Sequence, residues 1–245
     1  MKNKNILILG ALSDIAKSIS KKFAENGYDL ILAARNREKL QKESDNLKNQ
    51  YNINISTYEF DVLKTETHQN FIKNLEKIPS IVICSIGFMG EQKENENKSE
   101  LRNKVLRTNF EGPINIISDF ANIYEKQKYG TIVGISSVAG ERGKSSNYIY
   151  GSAKAGFTAF LSGLRNRLAK KNVHVITVLP GPVNTKMISN LEKPGLLTTN
   201  TSNVANDIYS AVLKKKNIIY TMKIWRIIMF IIKIIPEQIF KKLKI

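Results

Sequence analysis

Residues 130–160 read G-T-I-V-G-I-S-S-V-A-G-E-R-G-K-S-S-N-Y-I-Y-G-S-A-K-A-G-F-T-A-F. From Thr131 to Ser136 the run is apolar and β-branched, with glycine at its margin, which predicts a buried strand. A loop follows. From Tyr150 onward, Ala153, Ala155, Phe157, Ala159, Phe160 and Leu164 suit a helix, and on it Tyr150 and Lys154, four residues apart, share one face. A phenol beside an ammonium is expected to ionise below its usual pKa, about 10. Such a tyrosine can pass a proton to or from an alcohol oxygen. Ser137 stands where the strand ends, so its hydroxyl can meet the same oxygen from the other side. The bland alternative is a tyrosine and a lysine on a solvated helix face, with a serine in a turn.

Outward from this stretch, the chain alternates strand and helix. Upstream, Asn5 to Leu9 is a short apolar run ending at Gly10. Ile15, Ile19 and Phe23 then recur at helical spacing until Gly27. Strand, glycine turn and helix together open a dinucleotide-binding unit, in which pyrophosphate sits on the free amides of the helix start. Gly10, Ser13, Asp14 and Ile15 are the candidate contacts. Asp14 brings a carboxylate near the phosphates unless it caps the helix or faces solvent.

A second strand, Tyr28 to Ala34, ends at Arg35, where a basic residue accommodates the 2′-phosphate of NADPH and an acidic one would select NADH. Arg35 therefore points to NADPH, with NADH as the alternative, or else belongs to a solvated basic loop. A polar helix is expected over Glu38–Asn52, a third strand over Ile53–Phe60, a helix over Thr67–Leu75 and a fourth strand over Ser80–Ser85. Glu91 to Ser99 is almost wholly polar and reads as an exposed excursion. Leu101 to Tyr124 reads as one long helix carrying Asn109. After the central stretch, Val173 to Leu179 is a sixth strand, and a last one is expected near Asn217 to Tyr220. The fold class is therefore α/β: a Rossmann-like, doubly wound parallel sheet in a single domain over residues 1–221.

At 245 residues the chain suits one such domain. A single cysteine, Cys84, excludes an intrachain disulfide and fits a reducing compartment, and no signal peptide is read at the start. His68 and His174 are isolated from each other, so no metal site is expected. The 38 Lys+Arg against 21 Asp+Glu imply an anionic partner: nucleic acid, a membrane surface or a phosphorylated substrate. Their distribution narrows the choice. Residues 214–245 hold nine basic residues and one acidic one, so about half of the net charge of +17 lies there. Within it, residues 222–245 mix apolar runs with Lys223, Arg226 and Lys233 and are broken by Pro236, too charged for a comfortable transmembrane helix. An amphipathic, basic segment lying on the membrane is expected, with docking on the core or on a second copy as the alternative. No nucleic-acid partner is expected.

Ser137, Tyr150 and Lys154 resemble the Ser-Tyr-Lys centre of the short-chain dehydrogenase/reductase family, and other positions extend the likeness. The family's T-G-x-x-x-G-x-G is degraded here to Leu9, Gly10, Asp14 and Ala16. Asp61-Val62 resembles its adenine contact, and Gly87 keeps the small residue of its Asn-Asn-Ala-Gly. Asn109 matches the helix asparagine of its proton relay, and Pro180-Gly181-Pro182-Val183-Asn184-Thr185 resembles its nicotinamide clamp. Pro180, Gly181, Val183 and Thr185 are the clamp contacts so implied. The resemblance implies that Tyr150 is the acid, Ser137 positions the carbonyl, Lys154 lowers the tyrosine pKa and holds the ribose, and Asn109 supports a water. Relatives pair through the helices bearing Asn109 and Tyr150, which implies a homo-oligomer.

More narrowly, Ala139-Gly140-Glu141-Arg142, Asp14 and the ending I-P-E-Q-I-F-K-K-L-K-I are similar to the decaprenylphosphoryl-2-keto-β-D-erythro-pentose reductase branch. That likeness implies a polyprenyl-phosphate-linked keto sugar as substrate and a flavin oxidase as partner. It also implies a role in cell-envelope synthesis and a cytoplasmic site on the inner membrane face. Arg142, Lys144 and Lys186 are the candidate phosphate contacts, and the substrate loop falls in Met187–Asn203. Reduction of another ketone, such as a 3-oxoacyl group, and a non-catalytic scaffold are the competing readings.

Overall fold

Short Ile-, Leu- and Val-rich runs alternate with longer segments of helical period, and the fold follows that alternation. The structure is a computed structural model that describes residues 4–188 and 195–243. Residues 1–3, the middle of the expected substrate loop at 189–194 and the last two tail residues lie outside the described residues. β1 (Asn5–Leu9) leads into α1 (Asp14–Ala24), β2 (Asp29–Ala34) into α2 (Arg37–Gln50) and β3 (Ile55–Glu59) into α3 (His68–Lys73). β4 (Ile81–Cys84) is followed by α4 (Gln92–Asn97) and α5 (Ser99–Leu106), which a π turn, Arg107–Glu111, joins to α6 (Gly112–Gln127). Then come β5 (Gly130–Ile135), α7 (Tyr148–Leu168), β6 (Val173–Pro180), α8 (Thr201–Leu213), β7 (Ile218–Thr221), α9 (Ile224–Ile234) and the short α10 (Glu237–Phe240).

The strands form one parallel sheet in the order β3-β2-β1-β4-β5-β6-β7. Every residue of β1 and β4 is buried, as expected when helices cover both faces of a parallel sheet. One apolar layer gathers Ile19 and Phe23 of α1 with Val204 and Ile208 of α8. The opposite layer gathers Phe120 and Tyr124 of α6 with Phe157 and Leu161 of α7. Strand order reverses between β1 and β4, so a crevice opens at their carboxyl ends. Gly10 sits at that reversal with φ +78°, and a Cβ there would lie 2.7 Å from the Ser85 carbonyl oxygen. Only glycine lets the two strand ends approach so closely.

Two sequence expectations need refinement. The polar segment Glu91–Ser99 is exposed at most of its positions, as expected, but it is not irregular. It folds into α4, and Asn95, only 1% exposed, donates from Nδ2 to the Met89 carbonyl at 3.0 Å. An asparagine that ties down a loop carbonyl cannot be told from a solvated one by composition. The helix expected over Leu101–Tyr124 is interrupted by the π turn. Pro113 has no N–H to give the Asn109 carbonyl four residues earlier, so the regular α-helical bond is missing there.

Candidate active site

β5 ends beneath a tight 3₁₀ turn, Val138–Gly140, and α7 begins at Tyr148, so the predicted trio gathers where strand, turn and helix meet. Backbone packing fixes this geometry. A Cβ on Gly140 would lie 2.6 Å from the Ala155 amide nitrogen, so the turn rests directly on the backbone of α7. Ser136, which the sequence reading passed over, locks the same joint: its hydroxyl donates to the Lys154 carbonyl at 3.0 Å and lies 2.7 Å from the Thr158 hydroxyl. Its signal in the sequence was only a second serine beside Ser137.

Lys154 is 2% exposed, and its Nζ donates to the Ile135 carbonyl at 3.0 Å and lies 3.5 Å from the Ile86 carbonyl. Burial lowers its pKa from 10.5 to about 8. The half-buried Tyr150 ring is 5.7 Å from that nitrogen. Its phenol is pushed up to about 12 by burial, and the neighbouring Ser137 hydroxyl pulls part of the rise back. The expected depression of the tyrosine pKa is therefore not found in the chain alone. The ammonium turns to two carbonyls rather than to the phenol, which leaves burial as the dominant influence on Tyr150.

One large cleft of about 1460 Å³ runs across the carboxyl ends of the strands. Lining it are Ser137, Tyr150 and Lys154 together with Gly10, Ser13, Asp14, Ile15, Arg35, Asp61, Val62, Gly87, Pro180, Gly181, Val183 and Thr185. Lys144 and Lys186 line it as well, burial lowering the Lys144 pKa. Asn109 is fully buried behind Gly87. Its Nδ2 donates to the Phe88 and Val105 carbonyls at 2.6 and 2.8 Å, and its Oδ1 accepts from the Phe88 amide at 3.2 Å.

At the dinucleotide end, Ser13 caps α1 by accepting from the Ala16 amide at 3.2 Å. The amides of Asp14 and Ile15 then have no acceptor among the described residues, as a helix start that receives phosphate requires. Asp14 turns its Oδ2 toward the segment after β6, accepting from the Lys186 amide at 2.8 Å and tying that segment to α1. Beyond β2, Arg35 shares the cleft wall with Lys39 and Lys42, two cations missed within a helix that reads as merely polar. Orphan amides beside three cations fit a dinucleotide carrying an extra phosphate. The Thr185 hydroxyl donates to the Val183 carbonyl at 3.1 Å, and Asp61 accepts from the Leu63 amide at 3.0 Å.

Arg142 is a correction. It does not line the cleft. Its Nη1 donates to the carbonyls of Ile232 and Ile235 at 2.6 and 2.7 Å and approaches that of Lys233 at 3.2 Å, while its Nη2 pairs with Glu237 at 3.0 Å. Phe240 lies 3.8 Å beneath the guanidinium. Arg142 thus satisfies the orphan carbonyls at the end of α9. Next to it, Glu141 accepts from Lys233 at 2.6 Å and from Tyr220 at 2.9 Å. The tail is therefore latched to the loop that follows Ser137. Trp225, another residue the sequence reading did not place in the site, lines the cleft beside Gly181 and donates to the Leu197 carbonyl at 3.2 Å.

Comparison with known proteins adds to this geometry. The family profile described as short chain dehydrogenase matches residues 4–195. An uncharacterized oxidoreductase of Mycobacterium tuberculosis is 26% identical over 241 residues, 97% of this chain and 96% of its own. The 3-oxoacyl-[acyl-carrier-protein] reductase of Chlamydia trachomatis is 28% identical over 193 residues, 77% of each chain. Among solved structures, a short-chain dehydrogenase from Sphingobium yanoikuyae in complex with NADPH superposes with a TM-score of 0.81 at 18% identity, covering 95% of this chain and 96% of its own.

Proposed function

Because the chain belongs to the short-chain dehydrogenase/reductase family, we propose that it reduces a ketone with NADPH, and that the ketone is the 2-keto sugar of a polyprenyl-phosphate-linked pentofuranose. The observation that carries the reductase reading is the convergence of Ser137, Tyr150 and Lys154 on the wall of one cleft, at the end opposite Arg35, Lys39 and Lys42. The Asp14 and Ile15 amides would hold the pyrophosphate of bound NADPH, and Arg35, Lys39 and Lys42 its 2′-phosphate; the chemistry the coenzyme would supply is a hydride for the carbonyl carbon. Tyr150 gives its phenolic proton to the carbonyl oxygen as the alcohol forms, and the Ser137 hydroxyl holds that oxygen in place.

Lys154 stands behind the phenol as the cation that favours its ionised form once the proton has left. The Asn109 amide is occupied by Phe88 and Val105, so its part in returning the proton falls to its main-chain carbonyl, which Pro113 cannot engage.

The keto-sugar reading is supported by Lys144 and Lys186 on the cleft wall, suited to a phosphate, and by the exposed Met187, Leu196 and Leu197 at its lip, suited to an isoprenoid. Likeness to a 3-oxoacyl reductase supports a second reading, the same chemistry on an acyl thioester. Coenzyme oxidation by the purified protein decides between them. The oxidised polyprenylphosphoryl pentose should be turned over and a 3-oxoacyl thioester should not. The Tyr150→Phe protein should lose turnover by roughly 100-fold or more while its NADPH affinity is unchanged. Full activity in that variant would remove Tyr150 from the chemistry.

A further inference from the structure

The chain exposes fourteen large apolar side chains among its described residues, and they are not scattered. Seven lie in the tail (Ile224, Ile227, Phe230, Ile231, Ile234, Ile239 and Leu243) and three more, Met187, Leu196 and Leu197, at the cleft lip. Isolated exposed hydrophobics need no explanation, whereas a contiguous patch marks an interaction surface. α9 shows how the patch arises. Its inner side, with Trp225 and Met229, packs on Val138 and Leu179. At about 100° per residue, Ile224, Ile227, Ile231 and Ile234 fall together on the opposite side, with Phe230 flanking them. Phe230 and Ile234 are each 63% exposed. No remaining described segment of the chain covers this stripe.

Its rim is cationic and largely uncompensated. The tail's Glu237 is engaged by Arg142, and the nearby Glu141 by Lys233. Lys223, Arg226, Lys241 and Lys242 form no ion pair among the described residues. A second copy on this face would set one cationic rim against another in a chain already at +17. An apolar stripe framed by unpaired cations matches instead the interface of an anionic bilayer. α9 has eleven residues, about 16 Å of helix, and no described helix is long and apolar enough to cross a membrane, so the geometry is that of a helix lying in the headgroup layer.

We propose that the outer face of α9, continued by Ile239 of α10 and by Leu196 and Leu197 at the cleft lip, docks on an anionic lipid surface and turns the mouth of the cleft toward that leaflet. Trp225 makes the two parts one surface, since it lines the cleft and holds the lip through the Leu197 carbonyl. Docking does not depend on which ketone the cleft accepts, so its test reads binding rather than turnover.

Full-length protein is floated with vesicles of phosphatidylcholine alone or of phosphatidylcholine with phosphatidylglycerol. Partition into the anionic vesicles should be about 10-fold higher at low salt and should fall as salt rises. The exposed double variant Ile227→Asp/Phe230→Asp should lose it by at least that factor while keeping wild-type Trp225 emission and NADPH affinity. Lys223→Glu/Arg226→Glu should weaken the phosphatidylglycerol arm alone. Equal, weak partition into both vesicles overturns the proposal, and so does retained binding by the double variant. A wild-type dimer on size exclusion that the double variant converts to monomer, without vesicle binding, overturns it in favour of a second copy.

Discussion

Replacing Arg142 by alanine separates its observed place from the substrate contact expected of it. In the structure its side chain, 15% exposed, gives Nη1 to three carbonyls at the end of α9 and Nη2 to Glu237, and stacks on Phe240. One nitrogen has two hydrogens, so at most two of the three carbonyl contacts are full bonds. A hydrogen bond to a charged group contributes roughly 1.5–3 kcal/mol, and water reaching the freed carbonyls places these at the lower end. The stack adds about 0.5–1 kcal/mol, and the pair with Glu237, whose side chain is 72% exposed, adds little.

The local loss is therefore about 3.5–4 kcal/mol, which corresponds to roughly 400- to 900-fold more frequent opening of the tail. Hydrogen exchange resolved by peptide is the assay. Amides of the last turns of α9 should exchange several hundred-fold faster, those of β1 and β4 should be unchanged, and NADPH affinity should be preserved. Unaltered protection in α9 together with a raised KM would refute the latch and return Arg142 to the substrate.

Three further outcomes follow from the site. Between pH 8 and 10.5 the unfolded chain binds more protons than the folded one at Lys154, so stability rises with pH there. Relative to Lys154→Met, the wild type should gain about 2 kcal/mol in urea unfolding from pH 7 to 10; in the wild type alone this gain is opposed from about pH 9 by buried Cys84, whose thiol is pushed up to about 11, and then by the raised Tyr150. Arg35→Glu should weaken NADPH by about 10-fold or more and leave NADH binding nearly unchanged, as read by coenzyme titration; equal losses for both would detach Arg35 from the 2′-phosphate. Gly181→Ala places its Cβ inside the Trp225 indole, so the chain's single tryptophan should shift its emission to the red and the protein should lose about 1–3 kcal/mol, with unchanged emission counting against that packing.

Much of the site was legible because its residues are local to short motifs. Tyr150 and Lys154 are one helical turn apart, Ser137 ends a strand whose β-branched run is unmistakable, and the glycine turn after Leu9 opens a helix. Periodicity alone located the strands to within one or two residues of Asn5–Leu9, Ile81–Cys84 and Val173–Pro180. Residues acting through distant partners were misread or missed. Arg142 looked like a phosphate ligand, and Lys39 and Lys42 looked like the wet face of a helix. Nothing in their neighbours reports what lies across the fold.

By itself the sequence determined a parallel α/β sheet, a Ser-Tyr-Lys centre and a basic, apolar tail, since strand period, helix period and charge are written in neighbouring residues. Only the tertiary structure decided where Asp14 points, that burial rather than the ammonium governs the Tyr150 phenol in the chain alone, and that one side of the tail is buried while the other is bare. These depend on desolvation and on contacts across long separations, such as the 90 residues between Arg142 and Ile232, which no local pattern encodes.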